Sequence, residues 1–566
     1  MGIDKLIIGK SLQKTSDIMV RKTLLFIVIG LWYLTGCMTG SSLNETINSQ
    51  TFVARATAVG KPTTYHNMNL LGDPGGRLTT VVTSDIASRD VQQEISETLA
   101  VRGPGIVYSR LMRLSMDDST KQPSILLECE LCLNWEVSDL LTYKFNLRTD
   151  VKWQDIYPVN GRKLLAKDLK FSYERQLTKG WPNATPLKSI EDVVVGDEYT
   201  LRIELRYPEA DFLLGIADGH SKIVPMEVVE GDGGLKNGPV IGSGPWKWLK
   251  TENGVGSSFE ANKDYFEENA PYLERLDFLM IQDPAIGIAA FLTGSLDLLD
   301  VPLEILKEYG DRIKGFPFRE SHRGGGGPII AVNSGEDPFN DASLRRALIK
   351  SLDPVSYRKE IWNGKGFLGA GIPVVSSSGL LGNPWIEDLF HKPEEARQLL
   401  DGRSPQINLL VADFGLLYLE LGYKVEQDLR AVGFSPIMKA VSPLKYAELL
   451  QESATYHVLI GPVPPASGPN GYLYSAYHSL GKWNLLNHSN TMLDELIEEQ
   501  SSLGFDSASR GELIKSIQRL LLEEGYVFSP VNQTTTWLLQ DNVRGFAPNE
   551  AASEYFYWAK LWLERN

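Results

Sequence analysis

The residues best spaced for chemistry are two thiols, Cys129 and Cys132, in the stretch Cys-Glu-Leu-Cys. Outside a reducing compartment such a pair can close a small disulfide. Two thiols are also half of a zinc site, but no second Cys-x-x-Cys and no spaced histidine pair follows nearby to complete it. A catalytic redox pair would need a strand leading into a helix that begins at the first cysteine, and the flanking residues do not read that way. The histidines (His66, His220, His322, His391, His457, His478 and His488) are scattered without metal-ligand spacing. There is no His-Glu-x-x-His and no Gly-x-Ser-x-Gly elbow, and the glycine run at 324–327 lacks the Gly-Lys-Ser/Thr that would hold phosphates. Carboxylates are plentiful and cannot be sorted into acid and base roles. Neither catalytic residues, a metal nor a cofactor is expected.

Groups suited to binding are easier to find. In Ser321 to Asn333, four glycines let a backbone approach a ligand closely, with Gly324 next to His322 and Arg323, either of which can meet a carboxylate. The same stretch reads equally well as a crossover between lobes. Pro462 to Tyr474 carries the neutral polar side chains Ser467, Asn470 and Tyr472, which suit an uncharged polar ligand, although any Pro/Gly-rich connection has this composition. Trp483 is either a stacking wall or core.

A third cysteine, Cys37, ends the run "LLFIVIGLWYLTGC". The apolar part is well short of the roughly 20 residues that a spanning helix needs, and Arg21 and Lys22 precede it. It reads as a secretory signal over 1–36. Leu34-Thr35-Gly36-Cys37 resembles the lipobox of bacterial lipoproteins, which makes Cys37 the expected lipidation site and the first mature residue. "MVRKTLLFIVIG" looks like a complete n-region, so Met19 is the suspected true start.

The chain has 566 residues and a formal net charge of -15. Removing residues 1–36, with five basic and two acidic side chains, takes the charge to -18. Phosphate binding needs a basic face, so nucleic acid is excluded as a partner. Such a length predicts more than one lobe.

These candidates must be held by a mixed α/β framework. Residues 37–80 read as a lipidated, Ser/Thr/Asn-rich spacer, followed by a strand near "LTTVVTSDI". "GPGIVYSRLMRL" looks helical after its Gly-Pro. "LTYKFNLRTDVKW" alternates Tyr143, Phe145 and Leu147 like a half-buried strand, and "LLAKDLKFSYERQL" spaces Leu165, Leu169, Tyr173 and Leu177 like one helix face. "YTLRIELRY" reads as a strand; "SLRRALIKSL", "GYKVEQDLRAVG" and "RGELIKSIQRLLLEEG" read as helices, the last two stopped by Gly433 and Gly525. Asp341 is placed to cap the helix at 342–352, and Asp353-Pro354 to stop it. Arg345 on that helix is expected to make a local ion pair rather than bind ligand. Gly242 and Gly244 permit a tight turn closed by Pro245.

The order of these segments resembles the family 5 solute-binding proteins, the dipeptide, oligopeptide and nickel receptors of bacterial ABC importers. The resemblance is carried by "NWEVSDLLTYKFNLRTDVKWQD", "LLAKDLKFSYERQ", "GSGPWKW", "ANKDYFEENAPYLERLDF", "AVNSGEDPFNDASLRRALIKSLDPVSYRKEIWNGKG" and "NHSNTMLDELIEEQ", and runs from about Val81 to Leu563. It implies a two-lobed, periplasmic-binding-protein-like (type II) α/β fold with an extra subdomain in lobe I. Lobe I would span 81–302, with the subdomain at about 86–190; lobe II would span 303–526, and 527–566 would return to lobe I.

The function implied is that of an exported, lipid-anchored monomer at the cell membrane, facing the periplasm or cell exterior. It would capture a peptide or similarly sized polar solute between its lobes and deliver it to ABC permease subunits. A departure concerns the ligand. Many family members carry an acidic Asp-Tyr-x-Asp-Pro-like loop after the strand that reads "YHVLIG" here, and an aspartate in it pairs with the peptide amino group. Pro462 to Tyr474 has no carboxylate. A buried ammonium there would lose its counter-charge, at a cost of several kcal/mol. The family position makes Ser467, Asn470 and Tyr472 the expected cleft residues, beside His322, Arg323, Gly324 and Trp483. Alternatives are a metal-chelate or nickel receptor, a secreted hydrolase using its carboxylates, and a sensory or adhesive lipoprotein.

Overall fold

A computed structural model describes residues 74–115, 126–322, 327–369, 372, 381, 383–451, 456–462, 468–504, 508–532, 534–548 and 556–565. The signal sequence, Cys37 and the spacer lie outside them.

Lobe I is built on β1 (Arg77–Val82), which carries Leu78 and Val82 into one core and Val81 into another. "GPGIVYSRLMRL" is not one helix. Its first half is a short 3-10 turn, Pro104–Val107, and its second half opens β2 (Met112–Leu114), which pairs with β3 (Leu127–Cys129). The apolar run is continuous because both halves are buried, so burial rather than helical periodicity set the pattern. The subdomain sheet comprises β4 (Cys132–Val137), β5 (Thr142–Leu147), β6 (Ile190–Asp197) and β7 (Thr200–Leu205), in the order β4-β5-β7-β6. It therefore continues past residue 190, because β7 is needed to join β5 to β6. On β5, Tyr143, Phe145 and Leu147 are buried, as their alternation requires. The helix Ala166–Gln176 buries Leu169 and Tyr173.

Three strands complete the main lobe I sheet with β1: β8 (Trp246–Glu252), β9 (Gly256–Ala261) and β10 (Arg275–Met280), in the order β1-β10-β9-β8. The turn before β8 needs glycine for space rather than for an unusual dihedral angle. The Gly244 N–H donates to the Val107 carbonyl at 2.8 Å, and a Cβ on Gly242 would lie 2.0 Å from that same oxygen. Next come β11 (Leu298–Val301) and β12 (Phe318–His322), which remain in lobe I.

Lobe II has one six-stranded sheet: β13 (Pro328–Val332), β14 (Phe367–Gly369), β15 (Gln406–Ala412), β16 (Ser435–Val441), β17 (Val458–Pro462) and β18 (Val527–Asn532), in the order β14-β18-β13-β17-β15-β16. Its faces separate cleanly. On β13, Ile330 and Val332 join the core under the helices Ala342–Ser351 and Leu416–Val432, while Ile329 and Ala331 join the core under Thr491–Ser501 and Ala508–Glu523. The chain then returns to lobe I as β19 (Thr534–Leu539), which lies between β11 and β12.

The hydrogen-bond partners place the lobe crossings between β12 and β13 and between β18 and β19. They therefore fall some residues beyond the expected boundaries at 302/303 and 526/527. The helix Leu303–Ile313 also sets Ile305, Leu306, Tyr309 and Ile313 against a lobe I core.

Local expectations hold at the Ala342–Ser351 helix. The Asp341 carboxylate accepts the Ser343 N–H at 2.8 Å and pairs with Arg403 at 2.7 Å. Asp353 does more than precede the stop: it accepts the Ser356 N–H and caps the next helix, Pro354–Ile361. Arg345 has the structural role expected of it but not the local partner: its ion pair is with Glu524 at 3.3 Å, 179 residues away, and it also donates to the Phe339 carbonyl at 2.7 Å and the Glu524 carbonyl at 2.9 Å. The hydrogen bonds from Arg403 and Ser343 hold the Asp341 carboxyl at about 2, against an ordinary 3.8. Its stabilisation is thus complete above the ordinary value and lost as pH falls toward the folded one. Asp341→Ala is expected to cost about 1 kcal/mol at neutral pH, as loss of a helix cap does. Thermal unfolding of both proteins at neutral pH and at pH near 2 should show the difference shrink in acid.

Candidate functional site

The lobe II sheet has one edge where its connections converge on lobe I. β15 and β17 are parallel and end there. The antiparallel strand β13 begins there, with Pro328 opposite Pro462. β18 ends there and β14 starts there, with Phe367 opposite Asn532. Both lobe crossings leave from this edge, which is where ligands sit in open α/β sheets.

A cavity of about 300 Å³ lies at this edge. Lobe I lines it with Asp300 and Pro302 at the end of β11 and with Thr536 on β19. Lobe II lines it with Trp362, Lys365, Phe414 and Tyr418. Phe414 lies two residues beyond the end of β15, after Asp413, and Gly415, at φ 111°, turns the chain into the helix that carries Tyr418. Burial pushes the Tyr418 hydroxyl up to about 12, so it stays protonated near neutrality and can donate a hydrogen bond.

The two charged groups in the wall already have partners. Asp300 pairs with Arg102 at 3.3 Å, and the Arg102 guanidinium stacks 5.0 Å from the Trp537 ring. Lys365 reaches from lobe II to Glu320 on β12 at 2.5 Å and to the Thr536 hydroxyl at 3.2 Å. The latter contacts also tie the lobes across the cleft.

A second interlobe contact uses Asn470. Its side-chain amide donates to Glu209 of lobe I at 2.5 Å, its backbone N–H donates to Asp211 at 2.6 Å, and its side-chain oxygen accepts from Gln500 at 2.8 Å. Arg510 of lobe II pairs with Asp211 at 2.5 Å, and the Ala210 N–H donates to the Ser501 carbonyl. Burial raises the Glu209 carboxyl above its usual range, while the Asn470 amide opposes the shift. Carboxylates therefore do stand beside the segment that lacks its own, but they come from the opposite lobe and are engaged in joining it.

The cavity wall contains none of the described residues singled out in the sequence. Asn470 is committed to Glu209, Asp211 and Gln500. Tyr472 is a core residue, fully buried, with its hydroxyl 3.1 Å from that of Tyr477. Trp483 packs against the same core. The aromatic rings were drawn inward because this part of the lobe has a sheet face to cover. His322 ends β12, opposite Thr534. Arg323, Gly324 and Ser467 lie outside the described residues, as does Cys37. Cys129 and Cys132 are joined as a disulfide and fully buried in lobe I. The residues missed are Asp300, Trp362, Lys365, Phe414 and Tyr418. The one available signal was an aromatic residue followed by Gly, one residue past the apolar strand "INLLVA".

Among the described residues, no group of three or more His, Cys, Asp or Glu is arranged to hold a metal ion, and no helix is long and apolar enough to cross a membrane. Two lobes, two strand crossings and a cavity drawn from both sides define a solute-binding protein of the type II periplasmic class. The family model described as "Bacterial extracellular solute-binding proteins, family 5 Middle" matches residues 127–483, and the chain belongs to that family. It is 23% identical over 525 residues to probable di/tripeptide-binding protein 5 of Pseudomonas aeruginosa (strain UCBPP-PA14), over 86% of this chain and 96% of that one. Its fold is similar to that of the ABC transporter substrate-binding protein CtaP from Listeria monocytogenes, with TM-score 0.73, 19% identity and coverage of 87% and 100%. HbpA2 from Haemophilus parasuis gives TM-score 0.74 at the same identity and coverage.

Asp211→Ala leaves the buried Arg510 guanidinium without this carboxylate, at a cost of roughly 3 kcal/mol or more, as for a broken buried pair. Thermal unfolding should show a midpoint several degrees lower; an unchanged midpoint would mean that the contact contributes nothing in solution.

Proposed function

We propose that the protein is the substrate-binding lipoprotein of an ABC importer, anchored through Cys37, which captures peptides or similarly sized polar solutes between its lobes and presents them to a membrane permease. The observation that carries this reading is the cavity at the crossing edge, to which both lobes contribute side chains. A solute held there touches both lobes, so binding energy favours the form in which they are together. A permease can then distinguish loaded from empty protein by shape. Lys365 and Asn470 already supply cross-lobe contacts that a ligand would add to.

The name of the Pseudomonas relative supports short peptides as the solute class, and that of the Listeria protein supports the importer. The lipid anchor rests on the sequence around Cys37 alone. The protein binds its solute and releases it unchanged.

Thermal unfolding with dipeptides, tripeptides, longer peptides, C-terminally amidated peptides, neutral oligosaccharides and nickel chelates tests the ligand. A peptide at a hundred times its Kd should stabilise the protein by about 2.7 kcal/mol. No response to any peptide, with a response to a sugar or a nickel chelate, would overturn the peptide assignment. For the anchor, labelled fatty acid fed to expressing cells should enter the wild type and not Cys37→Ala.

A further inference from the structure

The cavity also carries information about which solute it takes. Its two charged wall groups are of opposite sign and each has a partner, Asp300 with Arg102 and Lys365 with Glu320. Beside them the wall includes the apolar Leu303, Leu306, Phe414 and Leu417, the ring of Tyr418, and the hydroxyl-bearing Thr535 and Thr536. Phe414 is the most open of these, at 46% exposed, and stands beside Tyr418 with ring centroids 6.0 Å apart. An exposed phenylalanine at the ligand-facing edge of a sheet leaves apolar area in water that an apolar group could cover. A charged group entering here would be desolvated and would have to displace an existing ion-pair partner.

The volume of about 300 Å³ is at the low end of the roughly 300–1,000 Å³ of small-molecule sites. That is room for one bulky side chain and the adjoining backbone, not for an extended polymer.

We propose that this recess selects solutes by one uncharged apolar or aromatic side group, with Phe414 and Tyr418 as its specificity-determining wall. The inference rests on the peptide reading for the identity of the solute, but the recess itself can be tested without it.

The test uses the whole protein in phospholipid nanodiscs, with empty discs as the control. Calorimetric Kd values are measured for trialanine and for variants in which each position in turn is Phe, Leu, Lys or Glu. At one position Phe or Leu is expected to bind about tenfold or more tighter than Ala, the factor for withdrawing a large apolar side chain from water, while Lys and Glu bind no better than Ala. Phe414→Ala should flatten that preference, Phe and Leu losing most of their advantage over Ala. Phe414→Leu should keep most of it, which separates loss of the wall from misfolding.

Peptide binding without such a preference, or with the charged side chains preferred, would overturn the recess and leave the peptide reading intact. If no peptide binds, saturation-transfer NMR with N-acetylphenylalaninamide against N-acetylalaninamide decides. Transfer to the aromatic probe that disappears in Phe414→Ala upholds the recess while the peptide reading falls. Absent transfer, or transfer indifferent to the substitution, overturns the recess as well.

Discussion

The chain passes from lobe I to lobe II and back at neighbouring places, because β13 and β18, which begin and end the lobe II sheet in sequence, pair with each other inside it. Their continuations β12 and β19 pair again inside lobe I. Each crossing is therefore held by backbone hydrogen bonds on both sides. The cleft follows from the same pairing. The edge from which the crossings leave is also the edge at which β15 and β17 end, and Phe414 after β15 meets lobe I residues in the cavity wall there.

Across that edge the lobes are joined by polar contacts. Lys365 with Glu320 and Thr536 forms one tie, and Asn470 with Glu209 and Asp211 another. A hydrophobic interlobe seam would be non-directional and would hold the lobes together whatever lay between them. Polar ties exchange against water at small net gain, so each contributes little to holding the lobes together. Asp211 with Arg510 is more buried and more costly to disturb.

Much of the framework was legible because its signals are local. Alternation on β5, the four-residue spacing of Leu169 and Tyr173, and the Asp341 cap each depend on neighbours within a turn or a strand. The stretch at 104–114 misled because a fully buried apolar run has no period that separates helix from turn and strand. The site was legible only in outline. Asn470 and Tyr472 lie outside the cavity wall: the Asn470 side-chain amide is claimed by Glu209 and its backbone N–H by Asp211, both more than 250 residues away in sequence, and the Tyr472 hydroxyl by that of Tyr477. Asp300 and Phe414 give no local sign of being neighbours in one wall.

The sequence by itself determined the class of protein: the ordered motifs of a solute-binding family reside in residue types and short spacings. Tertiary structure alone decided where the chain crosses between lobes, which loops share an edge, and which charges are already paired. Those properties depend on strand register and on contacts between residues far apart in sequence, and a lining made by two lobes belongs to neither segment until both are folded together.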